Sequence, residues 1–388
     1  MKPEAFEASS EDLSHGELER YSRHLILPEI GREGQKKLKA ARVLLVGAGG
    51  LGSPLAMYLA AAGVGTLGLV DDDLVEENNL QRQVIHSVGA LGRPKTESAR
   101  ARILDLNPYV EVRAFNLRLS SANAPGLISE FDVIADASDN FPTRYLLNDA
   151  CALLGKPLVY GAVYRCEGQV TVFDARRGGC LRCLFPEPPD SRFTATCGEG
   201  GVLGVLPGIV GGLQANEVIK LVVGGGDPLL DRLLTLDSWC LRFHEFALEK
   251  NPACPLCGEK PSLTGLADYE EFCGTRPKEA SRAPAISARA LKTRLDHGDT
   301  LNIIDIRLPQ ELAMGSLPGA ASIPLARLLG GLEGLDPARE TVLVCKKGEH
   351  SEAAVIELLE QGYQGRLLNL AGGMNAWARE VDPSIPVY

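Results

Sequence analysis

No stretch of this 388-residue chain approaches the ~18 uninterrupted apolar residues that a membrane-spanning helix needs. The opening run MKPEAFEASSEDLSHGELER is acidic and polar, without the basic and apolar regions of a secretory signal. Positive charge is not in surplus either. The formal net charge is -10, whereas a face that binds nucleic acid must be basic. No internal repeat relates one half of the chain to the other. These absences lead to the expectation of a soluble, cytoplasmic protein that takes neither membrane nor nucleic acid as its partner. Apolar residues make up 45% of the chain, enough for true cores, and the length suits two domains rather than one.

Cysteine, by contrast, is plentiful, with ten in all. Four of them form two Cys-x-x-Cys pairs, Cys180-Leu-Arg-Cys183 and Cys254-Pro-Leu-Cys257. In a cytosolic chain, close pairs point to metal or redox work more than to disulfides. Four thiolates in two pairs suit tetrahedral zinc, whose all-sulfur sites are structural. Cys180, Cys183, Cys254 and Cys257 are therefore the expected Zn²⁺ ligands. Such a site pins a long excursion of chain to a domain whose chemistry lies elsewhere. Cys151, Cys166, Cys240 and Cys273 sit in apolar or linker contexts and read as structural.

The rhythm along the chain is strand and helix in alternation, which indicates a mostly parallel sheet covered on both faces. Residues 14–40 read as helical, with Ser14 and Glu17 spaced as a capping box. ARVLLVG, TLGLVDDD, FDVIADASDN, KPLVYGAV and EGQVTVFD read as strands. VLPGIVGGLQANEVIKLVVGGG reads as a close-packing helix of small residues, ended by its glycine run. Around residues 258–285 Pro, Gly, Ser and charge dominate, as in a linker. The rhythm then restarts with LNIIDIR, TVLVCKKG, SEAAVIELLEQGY and RLLNLAGG. The expected division is a first domain over 1–260, a linker over 261–285 and a smaller α/β domain over 286–388.

Gly47-Ala-Gly49-Gly50-Leu-Gly52 follows a strand and opens a helix. Glycines let the backbone approach a phosphate, and the helix N-terminus supplies N–H groups and partial positive charge. Asp71 closes the next strand, where an acid can take ribose hydroxyls. This pattern alone does not separate NAD from ATP. Asn78-Asn79-Leu80-Gln81-Arg82-Gln83, then Lys95 after Gly92-Arg93-Pro94, then Asp139 and Asn140 at another strand end, favour a triphosphate. Arg and Lys neutralise phosphate charge, and an Asp can hold Mg²⁺.

Residues 14–257 resemble the MoeB/ThiF family of ubiquitin-activating-like adenylyltransferases. The stretches that carry the resemblance are RYSRHLILPEIG, VGAGGLGSP, VDDDLVEENNLQRQ, GRPK, DASDN, GGCLRCLF, TCGEGGVLG and CPLCG. It implies a Rossmann-like adenylation domain, acting as a homodimer. It implies too that Mg-ATP is used to adenylate the C-terminal glycine of a small ubiquitin-like sulfur-carrier protein ending Gly-Gly. Position by position, Gly50 and Asp71 would touch the nucleotide. Asn79, Arg82 and Lys95 would contact phosphates or the reacting carboxylate, and Asp139 would position Mg²⁺ beside Asn140. Arg23 would cross the dimer into the partner's site. Cys197, in Thr-Cys-Gly-Glu-Gly-Gly, matches a cysteine able to link covalently to the activated carrier.

From about residue 286, LNIIDIRLPQELAMGSLPGAASIPL, VLVCKKGEHSEAA and LLNLAGGMNAW resemble a rhodanese, a sulfur-transfer domain. Cys345 follows a buried strand and precedes a helix. Residues 346–350 must therefore curl over it, surrounding its sulfur with N–H groups that favour a thiolate or persulfide. Lys346 and His350 stand where the family often has Arg, and Lys and His grip anions less rigidly than the Arg fork. Ser351 stands where phosphatases of this fold place Arg, which favours sulfur over phosphate.

The leading expectation is thus a fused enzyme. Adenylation of the carrier is followed by sulfur transfer from a Cys345 persulfide to give a thiocarboxylate, with thiosulfate or a cysteine desulfurase persulfide as donor. Fusion raises the effective concentration of the second site near the unstable adenylate. The resemblance extends to proteins of molybdenum cofactor, thiamine, cysteine and thiolated-tRNA synthesis. Two other readings compete with it. A zinc-containing NAD-dependent oxidoreductase leaves Arg82, Lys95 and Asp139 without a task. An inactive carrier-binding scaffold sits badly with an intact Asp139 and Cys345.

Overall fold

The computed structural model describes residues 12–189, 200–273, 283–330 and 335–387. The chain divides into two units, 1–275 and 276–388.

The first unit is built on an eight-stranded sheet. Its strands are β1 (Arg42–Val46), β2 (Thr66–Val70), β3 (Glu111–Phe115), β4 (Val133–Asp136), β5 (Leu158–Tyr164), β6 (Glu167–Phe173), β7 (Arg232–Asp237) and β8 (Arg242–Ala247). Their order in space is β3-β2-β1-β4-β5-β6-β7-β8. The first five strands are parallel, and β6, β7 and β8 run antiparallel to their neighbours. The antiparallel extension is where the sheet departs from the alternating rhythm of the sequence. The β5–β6 connection is a tight hairpin, with Arg165 at φ +54, and a hairpin needs no crossover helix.

The parallel strands β1, β2 and β4 are continuous apolar runs because both faces are covered. One core layer joins Val43, Leu45, Leu67 and Val133 to helices Gly52–Ala62 and Leu206–Val223. The other joins Leu44, Ile134 and Phe131 to helix Phe141–Leu154. Helix Leu206–Val223 is the expected small-residue helix, ended by Gly224 at φ +76. Its length and composition would let it cross a membrane, yet it lies against the sheet with Val210, Val218 and Val222 fully buried. Gly211 permits that approach, since a Cβ there would sit 2.5 Å from the Leu51 carbonyl oxygen. The Ser14–Glu17 capping box is present.

The segment expected to be a linker over 261–285 is packed in its first half. Asp268 caps the short helix Tyr269–Phe272, and Tyr269 and Cys273 enter the core of the first unit. Three apolar side chains in a polar stretch, Leu266, Tyr269 and Phe272, suffice to anchor it. Cys240 corrects a second expectation. It is exposed in the β7–β8 turn, while Cys151 and Cys273 are buried as expected.

The second unit holds β9 (Ala285–Ile286), β10 (Asn302–Asp305), β11 (Ala321–Ser322), β12 (Thr341–Val344) and β13 (Leu367–Leu370). All are parallel, in the order β11-β10-β12-β13-β9. Two apolar layers flank them. One is formed with Trp377 and Met374 of helix Gly373–Glu380, the other with Val355 and Leu358 of helix Glu349–Glu360.

Candidate active sites

Val46 lies opposite Val70 on one side and Asp136 on the other. The residues that follow these three strands, Gly47, Asp71 and Ala137–Asn140, therefore converge where the strand order reverses. Ligands of open α/β sheets bind at such a point. A cleft of about 300 Å³ opens there, lined by Gly47, Asp71, Asp73, Arg118, Asp139 and Asn140, among others.

The Gly-rich turn is held by close backbone contacts. Gly47 has φ +103, and a Cβ on it would lie 2.4 Å from the Ala137 carbonyl oxygen. Only glycine tolerates both conditions. Asp71 clasps the turn by accepting Ala48 N–H at 2.8 Å and Asp73 N–H at 2.9 Å. Burial pushes its carboxyl above the ordinary range, opposed by Lys95 and those two N–H groups. Lys95 is buried, and its Nζ lies 2.6 Å from Asp73 Oδ2. Arg82 and Gln83 pass above the glycines. A Cβ on Gly50 would lie 3.6 Å from Arg82 Cγ, and one on Gly49 would lie 3.5 Å from Gln83 Nε2.

Other expected residues are tied into the scaffold. Asn79 is buried, donates to Asn78 Oδ1 at 2.7 Å and accepts Glu76 N–H at 3.1 Å. Asn140 caps helix Phe141–Leu154 by accepting Thr143 N–H at 3.0 Å. Gly52 opens its helix with the Gly47 carbonyl against it. Asp139 stays exposed at the cleft. Arg23 is exposed on helix Ser22–Leu25 and does not line the cleft of its own chain. Cys197 lies outside the described residues.

Three buried residues brace the Gly-rich turn and Ser138 from behind, and none was singled out as a site residue from the sequence. His86 Nε2 meets the Ala48 carbonyl at 2.9 Å and its Nδ1 meets Ser98 Oγ at 2.9 Å, so it props the turn from behind. Desolvation lowers its pKa from the ordinary imidazole value. Arg144 reaches the Ser138 carbonyl at 3.3 Å and the Tyr160 hydroxyl at 3.4 Å, with its guanidinium 5.6 Å from the rings of Phe141 and Tyr160. Asp136 is fully buried and accepts Ser138 N–H and O–H at 2.9 and 2.6 Å. Burial drives its carboxyl pKa up. The sequence signal for Arg144 was its place one turn into the helix after Asp139. For His86 there was none.

The four paired cysteines meet. The Cys180–Cys254, Cys183–Cys257 and Cys180–Cys257 sulfurs are 3.7, 3.4 and 3.4 Å apart, and Cys180–Cys183 are 4.0 Å apart. A tetrahedron of Zn–S bonds of ≈ 2.3 Å has edges of about 3.8 Å, so the donor set fits that ion. Burial pushes the Cys180 thiol up, and burial beside Cys183 pushes Cys257 up to about 12. Four thiolates this close coexist only around a cation. Between two of the ligands, Arg182 forms a buried pair with Asp149, Nη2 to Oδ2 at 2.8 Å. Asp149 also accepts the Tyr269 hydroxyl at 2.7 Å, which joins the cysteine cluster to the anchored segment.

In the second unit, Cys345 directly follows β12 and is buried. Its Sγ receives Gly348 N–H at 3.1 Å, Ser351 N–H at 3.4 Å and the Ser351 hydroxyl at 3.2 Å. The curl expected over residues 346–350 is thus formed. Gly348 has φ +92, and a Cβ there would lie 2.8 Å from Gly372 N. The Gly372-Gly373 pair closes the loop from below, with Met374 N–H on the Cys345 carbonyl at 2.9 Å.

Residues 21–256 match the ThiF family and residues 287–380 the rhodanese-like domain. The chain is 45% identical over 385 residues to the probable adenylyltransferase/sulfurtransferase MoeZ of Mycobacterium tuberculosis, covering 97% of this chain and 96% of that protein. It is 42% identical to the adenylyltransferase and sulfurtransferase MOCS3 of Drosophila ananassae, covering 97% of this chain and 86% of that protein. Among solved structures it resembles E. coli MccB with ATP, at a TM-score of 0.55 and 25% identity over 61% of this chain and 74% of that one. Neither the oxidoreductase nor the inactive-scaffold reading finds support in these relatives. The chain belongs to the ThiF family and carries a rhodanese-like domain at its C-terminal end.

Proposed function

We infer that the chain is an enzyme with two activities, adenylyl transfer in the first unit and sulfur transfer in the second. Its substrate is a small sulfur-carrier protein ending Gly-Gly. The observation that carries this reading is the convergence at the ends of β1, β2 and β4, where Gly47, Asp71, Asp73 and an exposed Asp139 line one cleft, Lys95 pairs with Asp73 and Arg82 passes over Gly50 of the same turn. The same chain holds a cysteine sulfur wrapped in donors.

The carrier's terminal carboxylate attacks the α-phosphate of ATP, and pyrophosphate leaves. Lys95 and Arg82 stabilise the charge that develops on the phosphates, and the glycines let the backbone approach them. Asp139 would hold a magnesium ion, which neutralises triphosphate charge when bound. The resulting acyl-adenylate is open to a sulfur nucleophile. The terminal sulfur of a Cys345 persulfide attacks the acyl carbon and AMP leaves. A thiol then attacks Cys345 Sγ, expelling the thiocarboxylate and forming a mixed disulfide with Cys345, which a second thiol reduces to the free cysteine with release of a disulfide. The persulfide itself is loaded from thiosulfate or a desulfurase persulfide. Zinc at Cys180, Cys183, Cys254 and Cys257 would play a structural part.

β8 supports the choice of a small protein as substrate. It is an edge strand, every residue of it is exposed, and it carries Phe243 and Phe246 beside Trp239 and Leu241 of the preceding turn. An apolar edge strand suits augmentation by another β-protein. Exposed Tyr58, Val84, Val88 and Leu91 of the first unit support a homodimer, in which Arg23 would serve the partner's site.

The test is carrier-dependent exchange of pyrophosphate into ATP, with the carrier captured on this chain in the presence of ATP. Asp139→Ala lowers exchange by at least about a hundredfold without unfolding the chain. Arg23→Ala also fails alone but regains activity when its subunits exchange with those of Asp139→Ala. Exchange near the parent rate in Asp139→Ala rules out its assigned role, and absence of rescue under verified subunit exchange rules out the shared site.

A further inference from the structure

The Ser351 hydroxyl has more neighbours than it has protons. Its Oγ lies 3.2 Å from Cys345 Sγ, 2.7 Å from Asn369 Oδ1 and 3.3 Å from the Gly348 carbonyl oxygen. A hydroxyl donates one hydrogen bond, so these acceptors compete. The shortest contact is with Asn369. When the proton points there, Cys345 Sγ keeps two backbone donors, Gly348 and Ser351 N–H. When the hydroxyl turns to sulfur, it becomes a third donor. Asn369 can then turn its amide by half a revolution and present Nδ2 to Oγ, exchanging acceptor for donor.

Asn369 is placed for this and for little else. It lies in β13 between apolar neighbours and is buried. Its backbone is fixed by Asn369 N–H on the Pro284 carbonyl at 2.7 Å. It pairs with Leu343 of β12, two residues before Cys345. A buried amide in a sheet costs free energy unless its polar atoms are matched, and its Oδ1 accepts the Ser351 hydroxyl.

We propose that Asn369 is a positioning residue for sulfur transfer, setting through Ser351 whether Cys345 Sγ receives two donors or three. A hydrogen bond to a charged acceptor is about twice as strong as one between neutral groups. A thiolate therefore draws the Ser351 proton away from the amide. A sulfur that has become neutral or bonded to a second sulfur returns it. The donor count thus follows the state of the sulfur at each step of loading and release, and only rotations about single bonds are needed.

The inference rests on Cys345 as the sulfur-bearing nucleophile, so its test reads the thiol directly. Full-length protein is alkylated with iodoacetamide across a range of pH, and modification of the Cys345 peptide is followed by mass spectrometry. Asn369→Leu frees the Ser351 hydroxyl for sulfur and lowers the pH midpoint of alkylation by roughly half a unit, the size of one modest hydrogen bond. Ser351→Ala raises the midpoint. The double variant matches Ser351→Ala, because Asn369 acts only through that hydroxyl. Asn369→Ala replaces the leucine variant if the longer side chain disturbs the strand. An unchanged or raised midpoint in both Asn369 variants overturns the proposal, as does a lowering that persists undiminished in the Ser351→Ala background. A parent protein that alkylates at Cys345 but never carries donor sulfur there overturns the sulfur-transfer reading instead.

Discussion

The turn Gly47–Gly52 and the loop Cys345–Ser351 both join a buried parallel strand to a helix N-terminus, yet they draw on different spans of chain. In the sulfur loop, three donors to Sγ come from Gly348 and Ser351, all within six residues of Cys345. Around the Gly-rich turn the work is shared. Asp71 clasps Ala48, His86 supports its carbonyl, Lys95 pairs with Asp73, and Asp139 arrives from a third strand. A thiolate is a single atom that a short loop can surround. A triphosphate with a metal and an incoming carboxylate is too long for one loop, so several strand ends must meet around it.

That contrast sets the expected size of each perturbation. Cys345→Ala should have the largest effect. It removes the sole sulfur in its loop and should cut sulfur transfer and thiocarboxylate formation by about a thousandfold or more, while pyrophosphate exchange persists. Mass spectrometry of the parent with donor should find the added sulfur at Cys345. Sulfur mapped only to Cys197, with normal transfer by Cys345→Ala, would break the division between the two sites.

Cys183→Ser should come next. Removing one of four clustered thiols should release zinc and lower the melting temperature of the first unit, since metal binding is coupled to folding. Metal analysis of parent and variant decides it, and full zinc in the variant counts against the assignment. The second unit should melt as before, which tests whether the cluster serves the first unit alone.

Gly47→Ala should cost about 1–3 kcal/mol from its left-handed backbone conformation, with more from the clash against the Ala137 carbonyl. Thermal unfolding measures the stability loss, and pyrophosphate exchange should fall with it. Sulfur loading at Cys345 should not change.

The smallest expected effect belongs to His86. Its folded pKa lies below the ordinary value of 6.5, so the unfolded chain binds the proton more readily. Its contribution to stability is therefore complete above pH 6.5 and is lost as pH falls toward the folded pKa. His86→Gln should flatten the melting temperature against pH in that interval. An identical pH dependence in parent and variant would show that the propping ring carries no such linkage.

How much was legible in advance follows the same contrast. The curl over Cys345 was readable because strand, loop and helix are contiguous, and the paired cysteines were readable because a metal imposes spacing. Asn79 and Asn140 sat in the right motifs but satisfy the scaffold's own N–H and carbonyl groups, and motif position does not reveal which partner an amide takes. The packing of the first half of the expected linker was not legible because only three apolar side chains anchor an otherwise polar stretch.

By itself the sequence determined the strand-helix alternation, the two units, the glycines that must bend sharply and the four thiols spaced for one ion. These depend on local conformational preference and short-range spacing. Only the tertiary structure decided that β6, β7 and β8 turn antiparallel, that His86 and Arg144 stand at the first site, and that Asn369 reaches Ser351 beside Cys345. Each of those depends on residues far apart in the chain, brought together because buried apolar faces and backbone hydrogen bonds have to be satisfied at the same time.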